Sequence, residues 1–149
     1  MIKIMFVCYG NICRSPMAEF LMKELVKGRE DEFIIESSAT SYEEIGNPVH
    51  YGTVRILNKL NIDCSKKRAR KLVCSDYDNY DYFIGMDKQN LRDMLKIFGG
   101  DKDNKVKLLL DFTPLKRDVL DPYWTGDFES TFQDIRLGTS ELFKFLGKK

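Results

Sequence analysis

The sequence holds a single histidine (His50), a single tryptophan (Trp124), four prolines and four cysteines in 149 residues. It has no excess of either charge: 24 basic side chains face 23 acidic ones, for a formal net charge of +1. A near-neutral chain has no global field to gather nucleic acid or an anionic membrane, so neither is expected as a partner. Its apolar stretches are short and broken by charges, far below the roughly 20 residues that span a bilayer. Met1-Ile2-Lys3-Ile4 leads straight into a strand-like run, without the longer apolar region and small-residue cleavage site of a secretory signal. The expectation is a cytoplasmic protein, with Cys8, Cys13, Cys64 and Cys74 as free thiols rather than two disulfides. Cys8 and Cys13 are followed by no second Cys or His pair at ligand spacing, so neither a metal nor another cofactor is expected.

What is present is a soluble globular balance, 43% hydrophobic and 32% charged, in a length suited to one domain over residues 1–149. Lys3 to Val7 reads as a buried parallel strand. Pro16 opens a helical pattern, SPMAEFLMKELVKG, that Gly28 stops. Glu32 to Ser38 reads as a second strand, and residues 40–48, with Gly46 and Pro48, as a loop. Val49 to Leu60 is a helix candidate and Tyr82 to Met86 a third strand. Asp87 is placed to cap a helix over KQNLRDMLKIF, which Gly99-Gly100 ends. Lys105 to Leu110 is a fourth strand, followed by a long loop to about Asp127 and a last amphipathic helix from Phe128 to Leu146. The alternation predicts one α/β domain, a parallel sheet with helices on both faces.

The chemistry concentrates in Cys8-Tyr9-Gly10-Asn11-Ile12-Cys13-Arg14-Ser15-Pro16, where the first strand hands over to the first helix. Ligands of α/β sheets bind at the carboxyl ends of strands, and a helix start favours an anion. Gly10 and Asn11 accept unusual backbone angles, which lets successive N–H groups turn inward as a nest. Arg14 adds a planar fork able to grip two phosphate oxygens. Cys8 opens this nest, where the same groups favour a thiolate, and Ser15 can donate to its sulfur. A nucleophile facing a phosphate cradle points to phosphoryl transfer to sulfur. Expelling the leaving oxygen then needs an acid and regenerating the thiolate a base, and one carboxyl group serves both. Asp121-Pro122, in the long loop after the fourth strand, is the candidate, with Pro122 restricting Asp121 to extended geometry. Tyr123 and Trp124 follow as aromatic walls for a substrate ring.

VCYGNICRSPMAE resembles the signature loop of the low-molecular-weight protein-tyrosine phosphatases, V-C-x-G-N-I-C-R-S-P. SSATSYEEIGNP, YDYFIGMDKQNLRD and LDPYWTGDFESTF resemble further family segments in the expected order. The resemblance implies a four-stranded parallel sheet in the order 2-1-3-4 and no metal. It implies Cys8 as nucleophile, Arg14 on the phosphoryl group and Asp121 as general acid, with Asn11, Ser15 and Ser37 supporting the loop. Substrates would be phosphotyrosine proteins or small aryl phosphates, and the chain a monomer or weakly self-associating. Tyr9 would border the pocket. In the related arginine phosphatases a Thr stands at the place of Ile12, which favours tyrosine here. The resemblance further implies a protective Cys8–Cys13 disulfide under oxidation, and Tyr123 as a regulatory position.

The chain departs from the family pattern in places. Glu43 stands where many relatives carry an aromatic lining the slot, with Tyr42 beside it as a substitute. The segment Ser65-Lys66-Lys67-Arg68-Ala69-Arg70 is one residue longer than the family's SHxAR and lacks its histidine. The segment after Met94 has few family details. His50 reads as a surface or capping residue, and the KKRARK run at 66–71 as a solvated loop. Two other readings compete. A thiol-type arsenate reductase would need a resolving pair such as Cys64 and Cys74, and a decayed phosphotyrosine-binding module would not need Cys8, Arg14 and Asp121 together.

Overall fold

Strand β1 (Ile2–Cys8) is buried on both faces from Ile4 onward, which is why KIMFV shows no polar alternation. The structure, a computed structural model, describes residues 1–147. Ile4, Phe6 and Cys8 point into the larger core cluster, with Met17, Leu21 and Met22 of α1 (Arg14–Leu25) and Ile135 and Leu142 of α5 (Phe128–Gly147). Met5 and Val7 point the other way, into a smaller cluster with Leu72, Phe83 and, from α3 (Lys88–Phe98), Met94. Period-two geometry thus splits one apolar run between two cores.

Beside β1 run β2 (Phe33–Ala39) and β3 (Tyr82–Gly85), with β4 (Val106–Leu108) beyond β3, all parallel and in the order β2-β1-β3-β4. The chain leaves β1 towards one edge of the sheet through α1. After β2 and α2 (Tyr51–Lys59) it returns to β1's other side. The strand order therefore reverses between β1 and β3, and such a switch point opens a crevice at the carboxyl ends of the strands. Cys8, the last residue of β1, stands there. Among the described residues no helix is long and apolar enough to cross a membrane.

The fold matches the expected sheet and order, and the differences lie at element ends. α1 begins at Arg14, two residues ahead of Pro16, and ends at Leu25 before Gly28, whose φ of 87° lies past the helix. α2 starts at Tyr51, because the His50 ring nitrogen Nδ1 accepts the Gly52 N–H and so caps it there. The fourth strand ends at Leu108, not Leu110. Leu109 and Leu110 turn in a 3-10 segment (Leu109–Phe112) that buries both fully against α5. Gly138 on α5 permits this: a Cβ there would lie 2.4 Å from Leu109 Cγ. The loop before α5 also holds a short helix, α4 (Pro122–Thr125), with Pro122 at its first position and Gly126 ending it in the left-handed region. A further 3-10 turn, Cys74–Asn79, lies in a stretch the sequence reading left unassigned.

Candidate active site

Five residues, 9–13, separate the end of β1 from the start of α1. Asn11 turns the loop with φ 60°, the left-handed conformation that asparagine tolerates best after glycine. Gly10 has no positive φ. Its requirement is space, since a Cβ there would press 3.3 Å from Glu44 Cγ. Four loop carbonyls are tied outward: Cys8 O accepts from Thr40 N, Tyr9 O from Ser41 N, Ile12 O from His50 N and Cys13 O from Thr53 Oγ1. Tying them outward keeps their negative dipole ends off the cleft, which leaves it suited to an anion.

Cys8 is 3% exposed, with its Sγ 3.0 Å from Ser15 Oγ and 3.4 Å from the Ser15 N–H that donates to it. Asn11, itself buried, donates through Nδ2 to Ser15 Oγ at 2.7 Å and to Ser37 Oγ at 2.9 Å. Ser37 in turn donates to Glu19 of α1. From the segment 65–70, Lys67 reaches in. Its Nζ donates to Ser37 O at 2.9 Å and lies 3.3 Å from Glu19 Oε1.

Arg14 is 2% exposed, and its guanidinium is held from three sides. Nη1 donates to Asp87 Oδ2 at 2.7 Å and to Val119 O at 2.8 Å, and Nη2 lies 3.5 Å from Asp121 Oδ2. Burial works against this cation, but the Cys8, Asp121 and Asp87 charges outweigh it and hold the proton more firmly than usual. The loop that carries Asp121 docks on the sheet through Val119 N, which donates to Met86 O at 2.9 Å, beside the end of β3. Asp121 then caps α4, its Oδ1 accepting from Tyr123 N at 3.0 Å, while Oδ2 faces Arg14.

One cleft gathers Cys8, Tyr9, Gly10, Ile12, Cys13, Arg14, Asp121, Tyr123 and Trp124 along its walls, together with Glu43 and Glu44. Tyr123 and Trp124 meet edge to face, ring centres 5.2 Å apart, and both stay largely exposed. Opposite them the Tyr9 hydroxyl donates to Glu43 Oε1 at 2.7 Å. That bond, with burial adding to it, pushes the Tyr9 phenol up from its ordinary value. Tyr42 does not line the cleft: it is 75% exposed, with the Lys71 ammonium 4.7 Å from its ring centre. Asn11, Ser15 and Ser37 do not line the cleft, and their side chains are hydrogen-bonded to one another away from it. Burial pushes the Cys13 thiol far up, and the adjacent Cys8 and Asp121 charges act in the same direction.

Sequence reasoning missed four contributors, one of them Lys67, which it read as part of a solvated run. Asp87 was read only as a helix cap, which it is, with Oδ1 accepting from Asn90 N at 2.8 Å, but its other oxygen grips Arg14. Glu44 lines the cleft beside Glu43, and Glu19 lies under the loop. A capping Asp at the carboxyl end of a central strand was the one available signal for Asp87. Nothing local marked Glu19. Of the remaining thiols, Cys64 is buried in the larger core cluster and Cys74 is exposed.

The fold and site define an α/β protein with a buried thiol at the head of the β1–α1 loop, at the switch point of its sheet. The description low molecular weight phosphotyrosine protein phosphatase belongs to the family whose profile matches residues 3–149. The low molecular weight protein-tyrosine-phosphatase YfkJ of Bacillus subtilis is 39% identical, over 100% of this chain and 98% of its own length. The Staphylococcus aureus low molecular weight protein-tyrosine-phosphatase PtpA is 35% identical, over 99% of this chain and 96% of its own. The crystal structure of YfkJ superposes with a TM-score of 0.95, covering 99% of this chain and 96% of that one. A Streptococcus pyogenes low molecular weight protein tyrosine phosphatase, 41% identical, superposes at 0.89, covering 98% and 93%. The chain belongs to the low molecular weight protein-tyrosine phosphatase family, and it is an enzyme of that class.

Proposed function

We propose that the protein hydrolyses protein phosphotyrosine and small aryl phosphates in two steps, through a phosphocysteine on Cys8. The observation that carries this reading is the convergence of the Cys8 sulfur, the Arg14 guanidinium and the Asp121 carboxyl on one cleft. Arg14, already aimed by Asp87 and Val119 O, pairs with the phosphoryl oxygens at little cost in reorganisation. The Cys8 thiolate attacks phosphorus as the P–O bond to the aryl group breaks, and protonated Asp121 delivers its proton to the departing oxygen. In the second step the Asp121 carboxylate takes a proton from water while the water oxygen attacks phosphorus. The S–P bond breaks, inorganic phosphate leaves and the thiolate returns.

Substrate preference follows from the walls. Cys8 sits at the end of a buried strand, and Tyr9, Tyr123 and Trp124 stand above it, so a phosphate must arrive on a long flat group. A phosphoserine is too short to span that depth. Ile12 adds an apolar wall, which suits a phenyl ring better than a guanidinium. A cytoplasmic protein, monomeric or weakly self-associating, completes the reading.

The test compares p-nitrophenyl phosphate, a phosphotyrosine peptide and its phosphoserine counterpart. The first two are hydrolysed, and the third is slower by a factor on the order of 100 or more. Cys8→Ser abolishes turnover, and Asp121→Asn lowers that of phosphotyrosine on the order of 10²–10⁴-fold. Near wild-type turnover in Cys8→Ser removes the phosphocysteine mechanism.

A further inference from the structure

The supports beneath the phosphate loop form a hydrogen-bond chain with one direction. An ionised carboxylate only accepts, so Glu19 Oε1 takes the single proton of the Ser37 hydroxyl. A lone pair of Ser37 Oγ is thereby turned to Asn11 Nδ2. The Asn11 amide is fixed the right way round at its other end, where Oδ1 accepts from Arg70 N at 3.1 Å. The second Nδ2 proton goes to Ser15 Oγ. Ser15 Oγ therefore accepts from Asn11, and its own proton is left for Cys8 Sγ, 3.0 Å away. If Ser37 were released from Glu19, its hydroxyl could turn and donate to a flipped Asn11, a flip opposed then only by the Arg70 N–H bond it would give up. Ser15 would then donate to Asn11 Oδ1, and the sulfur would lose that donor.

The chain depends on a carboxylate that is 3% exposed, and a buried negative charge needs a counter-charge close by. Two ammonium groups approach it. Lys23 Nζ lies 2.6 Å from Glu19 Oε2, but its side chain is 44% exposed and screened by solvent. Lys67 is different: its side chain is 12% exposed, and its Nζ lies against Glu19 Oε1, the oxygen that accepts from Ser37. The same ammonium also donates to Ser37 O, so it grips both ends of that contact. Burial and the Asp63 charge push the Cys64 thiol up, and Glu19 adds a smaller push in the same direction.

We propose that Lys67 is a positioning residue for the Cys8 thiolate, neutralising buried Glu19 so that Ser37, Asn11 and Ser15 all point their protons toward the sulfur. This rests on the reading of Cys8 as the nucleophile. The experiment reads the thiolate directly, so the two can fail separately. Cys8 alkylation by iodoacetamide is followed by mass spectrometry of its peptide, which keeps exposed Cys74 out of the signal. In Lys67→Met the Cys8 rate at pH 6 falls about tenfold, while at pH 9 it stays within about twofold of wild type. Lys67→Arg keeps the charge and retains the wild-type rate at both pH values. If Lys67→Met does not fold, Lys67→Gln, which keeps a donor for Ser37 O but no charge, carries the same expectation. A folded neutral variant alkylated at the wild-type rate at pH 6 overturns the proposal. So does failure of both neutral variants to fold, which would make Lys67 a stability residue only.

Discussion

Asp87 does two jobs with its two oxygens, and a pair of substitutions separates them. Oδ1 caps α3 at Asn90 N and Oδ2 holds Arg14. Asp87→Ser keeps a side chain that caps helices well but loses the grip on the guanidinium. It is expected to lower the melting temperature through the loss of a buried charge's partner, and to lower kcat/KM for p-nitrophenyl phosphate by roughly 10- to 100-fold. Asp87→Ala loses the cap as well, with a further destabilisation of about 1 kcal/mol. Activity at the wild-type level in Asp87→Ser would show that Val119 O and Asp121 suffice to aim Arg14. The residue scale is also where the sequence was least readable. Asp87 stands 73 positions from Arg14 and Ser37 stands 18 from Glu19, and neither spacing has a local signature. Glu43 and Tyr42 are neighbours, yet one faces the cleft and the other solvent, a choice made by how the 40–48 loop lies against residues 68–70.

At the scale of elements, α5 meets the turn after β4 at a glycine that leaves no room for a methyl. Gly138→Ala drives a methyl into Leu109, which is fully buried and has no free space to yield. Overpacking of this kind costs about 1–3 kcal/mol, a fall of roughly 2–10 °C in melting temperature for a chain this size. Neither Gly138 nor Leu109 lines the Cys8 cleft, so activity per folded molecule should be unchanged. The entry to β4 is pinned differently. Asp101 accepts from Tyr77 OH at 2.6 Å, Lys105 N at 2.8 Å and Val106 N at 3.0 Å. Burial pushes the Asp101 carboxyl up, but these donors outweigh it and hold it below its ordinary value. A depressed carboxyl contributes stability that is full above the unfolded-state value, near pH 3.9, and lost as pH falls through the folded one. Asp101→Asn should therefore flatten the loss of melting temperature with acid below about pH 4. An unchanged slope would mean that other carboxylates govern acid unfolding. Helices and strands were legible because their periodicity is local. The Leu109–Phe112 turn was not, because LLL continues a strand pattern and only α5, some 30 residues later, offers the pocket those side chains fill.

For the molecule as a whole, the site and the stability are linked. An anion that binds the folded state alone stabilises it by mass action, about 2.7 kcal/mol at a concentration 100 times its dissociation constant. Inorganic phosphate or vanadate should accordingly raise the melting temperature in a concentration-dependent way, read by thermal shift. Arg14→Met should lose most of that rise, because the buried fork is the main cation facing the cleft. An undiminished shift in that variant would place the anion elsewhere. The formal charge of +1 allows this local effect to stand out, since no global field competes with it.

The order of strands and helices, and the segments that bring Cys8, Arg14 and Asp121 to one cleft, could be read from the chain, because each is written in contiguous residues whose chemistry is local. The tertiary structure decided which distant groups complete them. Lys67 pairs with Glu19, Glu19 and Ser37 lie under Asn11, and Asp87 shares Arg14 with Asp121. The physical reason is that burying a charge demands a partner at contact distance, whatever the separation along the chain. Only folding brings those partners together.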